Sequence, residues 1–294
     1  MLVPYTAKTV TNYCATLSNQ TTEGDLEQVI SYFEEKQEKT DPDFFYRIKK
    51  DDEGRTENIF WVDGLARKAY EAAYHDCMSF DSTYLTNRYN MPFAPFIGIN
   101  KHGSSIMLGC GFVRQEMASS FDWLFGCFLE AMGGRQPDNI ITDQDIAMKA
   151  SIAKMFPLST HRNCRWHIMQ KAQRECGTVC GRNPGLSADF NDCVDFSFSP
   201  AEFEAKWALF LGKWPVAAAH RHFATLYENR AGWIPCYFRD WFFPFLLSTQ
   251  RSEGFNAVLK RYTNPYKSVL NFVHQYEKVQ VHVLVKEGAN DYRT

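Results

Sequence analysis

No apolar run in the 294 residues approaches the ~20 needed to cross a bilayer. The most apolar stretch, WIPCYFRDWFFPFLL, is broken by Arg239, Asp240 and Pro244, so it reads as a core or interface segment and no membrane partner is expected. The opening MLVPYTAKTVTNYC lacks a basic start followed by a long apolar stretch, so no secretory signal is expected. A regular cysteine framework is missing too. The nine cysteines are odd in number and scattered, which points to a reducing intracellular compartment. There is no excess of charge of one sign: the formal net charge is −2, so any grip on nucleic acid must come from a local basic surface. Internal repeats and low-complexity tracts are absent.

What the chain has in quantity is rings. With 24 Phe, 14 Tyr and 7 Trp, large planar side chains should dominate the packing. Its 45% hydrophobic and 22% charged content is that of a globular chain long enough for a sizeable core in one or two domains.

Periodicity divides the chain into four stretches: 1–57, 58–163, 164–247 and 248–294. The first reads as a helical lead-in, with Thr6 as an N-cap and Leu26, Val29, Ile30 and Phe33 on one helical face. FFYRIKKDDEGRTENIFWV then reads as two short strands about a turn at Gly54, and GLARKAYEAAYHD as a helix. CMSFDSTY is a strand ending at Asp81, and FAPFIGIN and SSIMLGCGFV are two more around a hairpin at Gly103. SSFDWLFGCFLEAMGG reads as a helix with a serine cap and a stop at Gly133, DNIITDQ as a strand, and DIAMKASIAKMF as a helix capped by Asp145. Three strands, a helix, a strand and a helix predict an α/β fold, a mixed sheet flanked by helices. QKAQRECG, SPAEFEAKWALFLGKW and AAAHRHFATLYENRAGW carry helical spacing and predict a mostly helical insertion over 164–247. QRSEGFNAVLKRY predicts a late closing helix bearing Glu253.

Asp81 and Asp143 each close an apolar run, and Glu253 lies on the late helix. Two acids at strand ends plus one on a helix suit a two-metal phosphodiester site. There, carboxylate oxygens hold Mg²⁺ or Mn²⁺ about 3.5–4 Å apart to polarise the phosphoryl oxygen and activate water or a 3′-hydroxyl. The bland reading is that the aspartates are turn acids and Glu253 a solvated helix residue.

FDSTYLTNRYNMPFAPFIGINKHG, IITDQDIAMKASI, HRNCRWHI and TQRSEGFNAVLKRY resemble the transposase core of Mutator-like elements (MULE), most closely the plant far-red-impaired-response related (FRS) family. The resemblance runs from about Tyr5 to Tyr276. It implies an RNase H-like core and assigns the family's Asp-Asp-Glu triad to Asp81, Asp143 and Glu253, as catalytic and Mg²⁺-binding residues. It also implies a nuclear regulator of transcription descended from a transposase, associated with DNA and with other FRS-family or transcription proteins, in a homodimer or otherwise, with little or no turnover. The alternative is a competent DDE transposase that cuts and joins DNA by two metals, favoured by the intact triad. A pure protein-interaction scaffold is a third reading.

The resemblance also covers Cys164 and His167, half of a zinc site whose closure would need two more ligands, Cys176, Cys180 and Cys193 being nearest downstream. The other reading is a reduced cysteine beside a hydrogen-bonded histidine. The family's WRKY-related zinc region and SWIM zinc finger are not visible in these 294 residues, so a truncated form with weak or indirect DNA binding is expected. Arg162, Arg165 and Lys171 after the second acid, and Arg251, Lys260 and Arg261 around the third, are placed to contact nucleic acid, or else form a solvated face. Trp166 and Trp233 either stack on bases or fill the core.

Overall fold

Residues 24–82, 87, 89–243 and 268–291 are described in a computed structural model. The first described element is helix α1 (24–39), whose Val29 and Phe33 are fully buried. Strands β1 (Phe45–Lys50) and β2 (Thr56–Val62) follow as an antiparallel pair, turned by Gly54 at φ 78°. Helix α2 (Gly64–Ala69) runs on into a wider turn at Tyr70–Tyr74. Then come β3 (Cys77–Phe80), β4 (Phe93–Ile99), β5 (Ser105–Phe112), α3 (Ala118–Ala131), β6 (Asn139–Thr142), α4 (Ile146–Met155) and β7 (Thr160–Asn163).

The strands form one seven-stranded mixed sheet in the order β1-β2-β5-β4-β3-β6-β7. Pairing is antiparallel from β1 across to β3, while β3, β6 and β7 run parallel. The strand pair read as part of the lead-in is therefore the edge of the main sheet. Strand β7 is an addition to the reading. Its sequence, THRN, has no apolar residue and so no strand periodicity.

Side chains alternate between the two faces, and each face has its own aromatic packing. On one, Phe60, Phe80 and Phe96 meet Phe121, Phe125 and Phe128 of α3, with Phe96 and Phe128 stacked at 4.5 Å and 12°. On the other, Ile59, Trp61, Phe93 and Phe112 meet Phe33 of α1 and Phe272, Val273 and Tyr276 of helix α10 (Val269–Asp291). Gly111 permits the close fit: a Cβ there would lie 2.5 Å from the Ile59 carbonyl oxygen and 2.6 Å from Leu124.

One helix end differs in detail from the sequence expectation. Helix α3 starts after Met117, with no side-chain cap, so Ser119 and Ser120 sit inside its first turn. Its stop is as read, with Gly133 at φ 64° and the Gly134 amide bonded back to the Leu129 carbonyl at 2.7 Å. Asp145 caps α4, its carboxylate accepting from the Met148 amide at 2.7 Å.

Helices α5 (Arg165–Arg182), α6 (Leu186–Asp195), α7 (Pro200–Lys213), α8 (Pro215–Ala218) and α9 (Arg221–Glu228) enclose a separate core around Phe190, Phe203, Trp207, Phe223 and Trp233. Two short turns, Arg230–Gly232 and Pro235–Phe238, lead back toward the sheet. Thr6 and the stretch read as the Glu253 helix lie outside the described residues. Among the described residues no helix is long and apolar enough to cross a membrane.

Candidate functional site at the carboxyl edge of the parallel strands

The register of β3 on β6 pairs Cys77 with Asn139, Met78 with Ile140 and Ser79 with Ile141. Continued two residues, it sets Asp81 opposite Asp143. Neighbouring strands lie about 4.8 Å apart, so the two carboxylates leave adjacent parallel strand ends on the same face of the sheet. The register of β6 on β7 pairs Thr142 with Asn163 and, one step on, aligns Asp143 with Cys164. Asp81, Asp143 and Cys164 therefore form one row across three strands. Sixty-odd residues of intervening chain give no hint of this alignment; the parallel ladder makes it.

Asp81 is only 8% exposed. Asp143 is partly buried, and its carboxylate accepts from the Asp145 amide at 3.0 Å, which fixes its aim. Burial pushes the Asp143 carboxyl up from the usual aspartate range, and the charges of Asp145 and Glu116 push the same way. The Asp145 amide and His167 act against that rise. Glu116, in the loop between β5 and α3, accepts a hydrogen bond from the Ser82 hydroxyl. Sequence reasoning missed Glu116, which sits in the featureless VRQEMAS with no motif to mark it. The Ser82 hydrogen bond next to Asp81 brings it in.

The Cys-x-x-His pair straddles the start of α5. Cys164 is fully buried with Cys77, Ile99 and Ile141, and Phe243 packs against that cluster. His167 sits in the first turn, its ring 4.9 Å from that of Trp166, and its charge bears on Asp143. Among the described residues no three His, Cys, Asp or Glu side chains gather in a way that would hold a metal. Zinc at Cys164 and His167 would need its remaining donors from outside them. Of the cysteines named downstream, Cys176 faces His220 at 3.8 Å and Cys193 lies in the helical core.

The basic residues separate sharply. Arg162, on β7, is 3% exposed and does not belong to a surface basic patch. Its guanidinium lies 5.1 Å from the Phe238 ring and 5.5 Å from that of Phe243, and among the described residues its Nε and Nη2 have no hydrogen-bond partner. Burial pulls its pKa down to about 10, so it stays cationic at neutral pH. Arg165 pairs with Asp195 at 2.6 Å, while Lys171 is exposed on α5. Trp166 is 41% exposed and Trp233 is 1% exposed, so only Trp166 is free to stack. Glu253, Arg251, Lys260 and Arg261 lie outside the described residues.

Next to the row, His161 on β7 meets the Thr142 hydroxyl at 2.8 Å, while that hydroxyl donates to the Asp143 carbonyl at 2.9 Å. With the hydroxyl proton so used, His161 Nε2–H is the donor to Thr142. Burial drives the His161 pKa down to about 4, with Lys149 adding to the effect, so the ring is neutral at physiological pH.

Two carboxylates leave adjoining strand ends at the rim of a mixed sheet, and residues 77–171 match the family model of the MULE transposase domain. The chain is 35% identical over 292 residues to Protein FAR1-RELATED SEQUENCE 5 of Arabidopsis thaliana, covering 99% of this chain and 37% of that protein. It is 31% identical to Protein FAR-RED IMPAIRED RESPONSE 1 of the same plant, covering 92% of this chain and 32% of the relative. Protein FAR1-RELATED SEQUENCE 2 is likewise 31% identical, over 87% of this chain. The chain belongs to this MULE-domain family of FAR1-related proteins, and it spans about a third of the length of the relatives it matches.

Proposed function

We propose that the chain is the transposase-derived core of a nuclear, DNA-associated regulator of transcription, with Asp81, Asp143 and Glu253 as the inherited acid triad. The observation that supports the reading is the β3–β6 register, whose continuation by two residues aligns Asp81 with Asp143. Support for an RNase H-like core comes from the strand order β5-β4-β3-β6-β7, three antiparallel strands followed by two parallel to the central one.

The donor chemistry fits Mg²⁺ or Mn²⁺. Two adjacent carboxylates, one of them held above its usual pKa by burial and by neighbouring negative charge, form a site that a divalent cation would relieve. When bound there, such an ion supplies Lewis-acid activation of a phosphodiester and of the attacking hydroxyl. The chain's own residues orient and shield: the Asp145 amide aims Asp143, and the charge of His167 favours its ionised form. DNA would be gripped by the exposed cations of α5, such as Lys171 and Arg174, and by Arg251, Lys260 and Arg261 in the stretch around Glu253.

The test is a strand-transfer assay with Mg²⁺ or Mn²⁺, run beside a DNA-binding titration at low salt. The regulator reading expects binding without joined product. Joined product that disappears in Asp143→Asn would replace it with a working DDE transposase, the reading that the retained acid pair favours. No binding at any salt would leave only a protein scaffold.

A further inference from the structure

A groove of about 320 Å³ runs along α5 where α6 packs against it. Its floor is apolar, built from Cys176, Phe190 and Phe223. Its polar lining is Trp166, Gln170, Gln173, Ser187 and Asn191, an indole, three primary amides and a hydroxyl, and among the described residues no carboxylate or cation lines it. Trp166, Gln170 and Gln173 recur at helical spacing, so they stand on one side of α5. Trp166, which lines the groove at the start of that helix, stands beside His167, whose charge bears on Asp143.

We propose that this groove receives one unstacked nucleobase of DNA, next to the phosphate presented at the Asp81–Asp143 row; the inference rests on the DNA-associated reading above. A planar, heteroatom-edged ring is the ligand this lining suits. The exposed indole offers a stacking face. Each amide offers both a donor and an acceptor, the complement of a base edge, and none carries a charge that would demand an ion. The apolar floor excludes water from the ring face. The exposed Lys171 and Arg174 on the same helix supply cations for the flanking phosphates without entering the groove. A sugar or phosphate alone would leave the indole and the apolar floor unused. A paired base could not enter, because its edge is taken by its partner and its faces by its neighbours.

The experiment compares two short duplexes binding to the full chain, one fully paired and one carrying a single unpaired 2-aminopurine. The wild type should bind the second about thirtyfold tighter, the middle of the ~1–3 kcal/mol range for one stacked base. Its 2-aminopurine emission should be quenched on binding. Trp166→Ala should abolish both the preference and the quenching while leaving affinity for the paired duplex unchanged. Trp166→Phe should keep them, and Gln173→Ala should weaken the preference alone. Equal binding of the two duplexes by the wild type, or a preference that survives Trp166→Ala, overturns the base site and leaves the DNA reading intact. Absence of binding to either duplex overturns both.

Discussion

Asp143 carries a cost that ought to be measurable without any substrate. Its carboxyl sits above the ordinary aspartate range because of burial first, then the charges of Asp145 and Glu116. A carboxyl raised in the folded state contributes stability only below its unfolded pKa and loses it as pH climbs through the folded value. At pH 7 without divalent ions, Asp143→Asn should therefore melt above the wild type, and the gap should close toward pH 4; a variant that melts lower at neutral pH contradicts this. His161 works in the opposite sense. Its pKa is held down to about 4, so the unfolded chain takes up the proton first and stability falls as pH drops from about 6.5 toward 4. Denaturant titrations should show a loss of up to roughly 3 kcal/mol across that window. The loss should be much smaller in His161→Gln, which keeps a donor for Thr142 but cannot charge. Arg162 is the third unusual residue: a buried cation flanked by Phe238 and Phe243, with its Nε and Nη2 unpartnered among the described residues, a costly arrangement next to the acid row.

Among the elements, those with the clearest periodicity were the ones legible in the chain. β3, β4, β5 and β6 are apolar runs stopped by an acid, an asparagine or a glycine turn, and their ends fall where Asp81, Gly103 and Asp143 predict. β7 was not legible because a strand of Thr, His, Arg and Asn carries no alternation; its neighbours on the sheet, and not its own residues, make it extended. The serine cap of α3 failed for a related reason, since two serines in a row mark a helix start only to within a turn. Glu116 was invisible because one hydroxyl contact, from Ser82, brings it near the site. The long-range closure of the fold was equally hidden. Asp25 on α1 accepts from the Val269 amide at 2.9 Å and the Leu270 amide at 3.3 Å, capping α10 across the whole chain. Lys36 bridges Asp63 and Glu277, each at 2.7 Å, beside it. Asp25→Ala should cost ~1–2 kcal/mol in chemical denaturation, while Asp25→Asn should recover much of that; equal stability of all three proteins would show the cap to be idle. Gly111→Ala should cost a further ~1–3 kcal/mol, because β5 cannot carry a methyl against both the Ile59 carbonyl and Leu124.

At the scale of the molecule, the aromatic residues among those described build three large cores with separate tasks. Two of them clamp the faces of the sheet, and the third holds the helical unit that begins at α5. The rigidity of the sheet is what gives two acids far apart in sequence a fixed separation at its rim, and α5 leaves that same rim carrying His167 and Trp166. Under the proposed function, that rim is where a phosphate backbone would meet a divalent cation. The decisive measurement is a Mn²⁺ titration of the intact protein followed by electron paramagnetic resonance, with Asp81→Asn and Asp143→Asn alongside. If the two carboxylates share one cation site, the wild type binds Mn²⁺, Mg²⁺ competes for it, and each substitution alone removes that binding by tenfold or more. Mn²⁺ binding that is unchanged in both variants would separate the two acids and contradict the account.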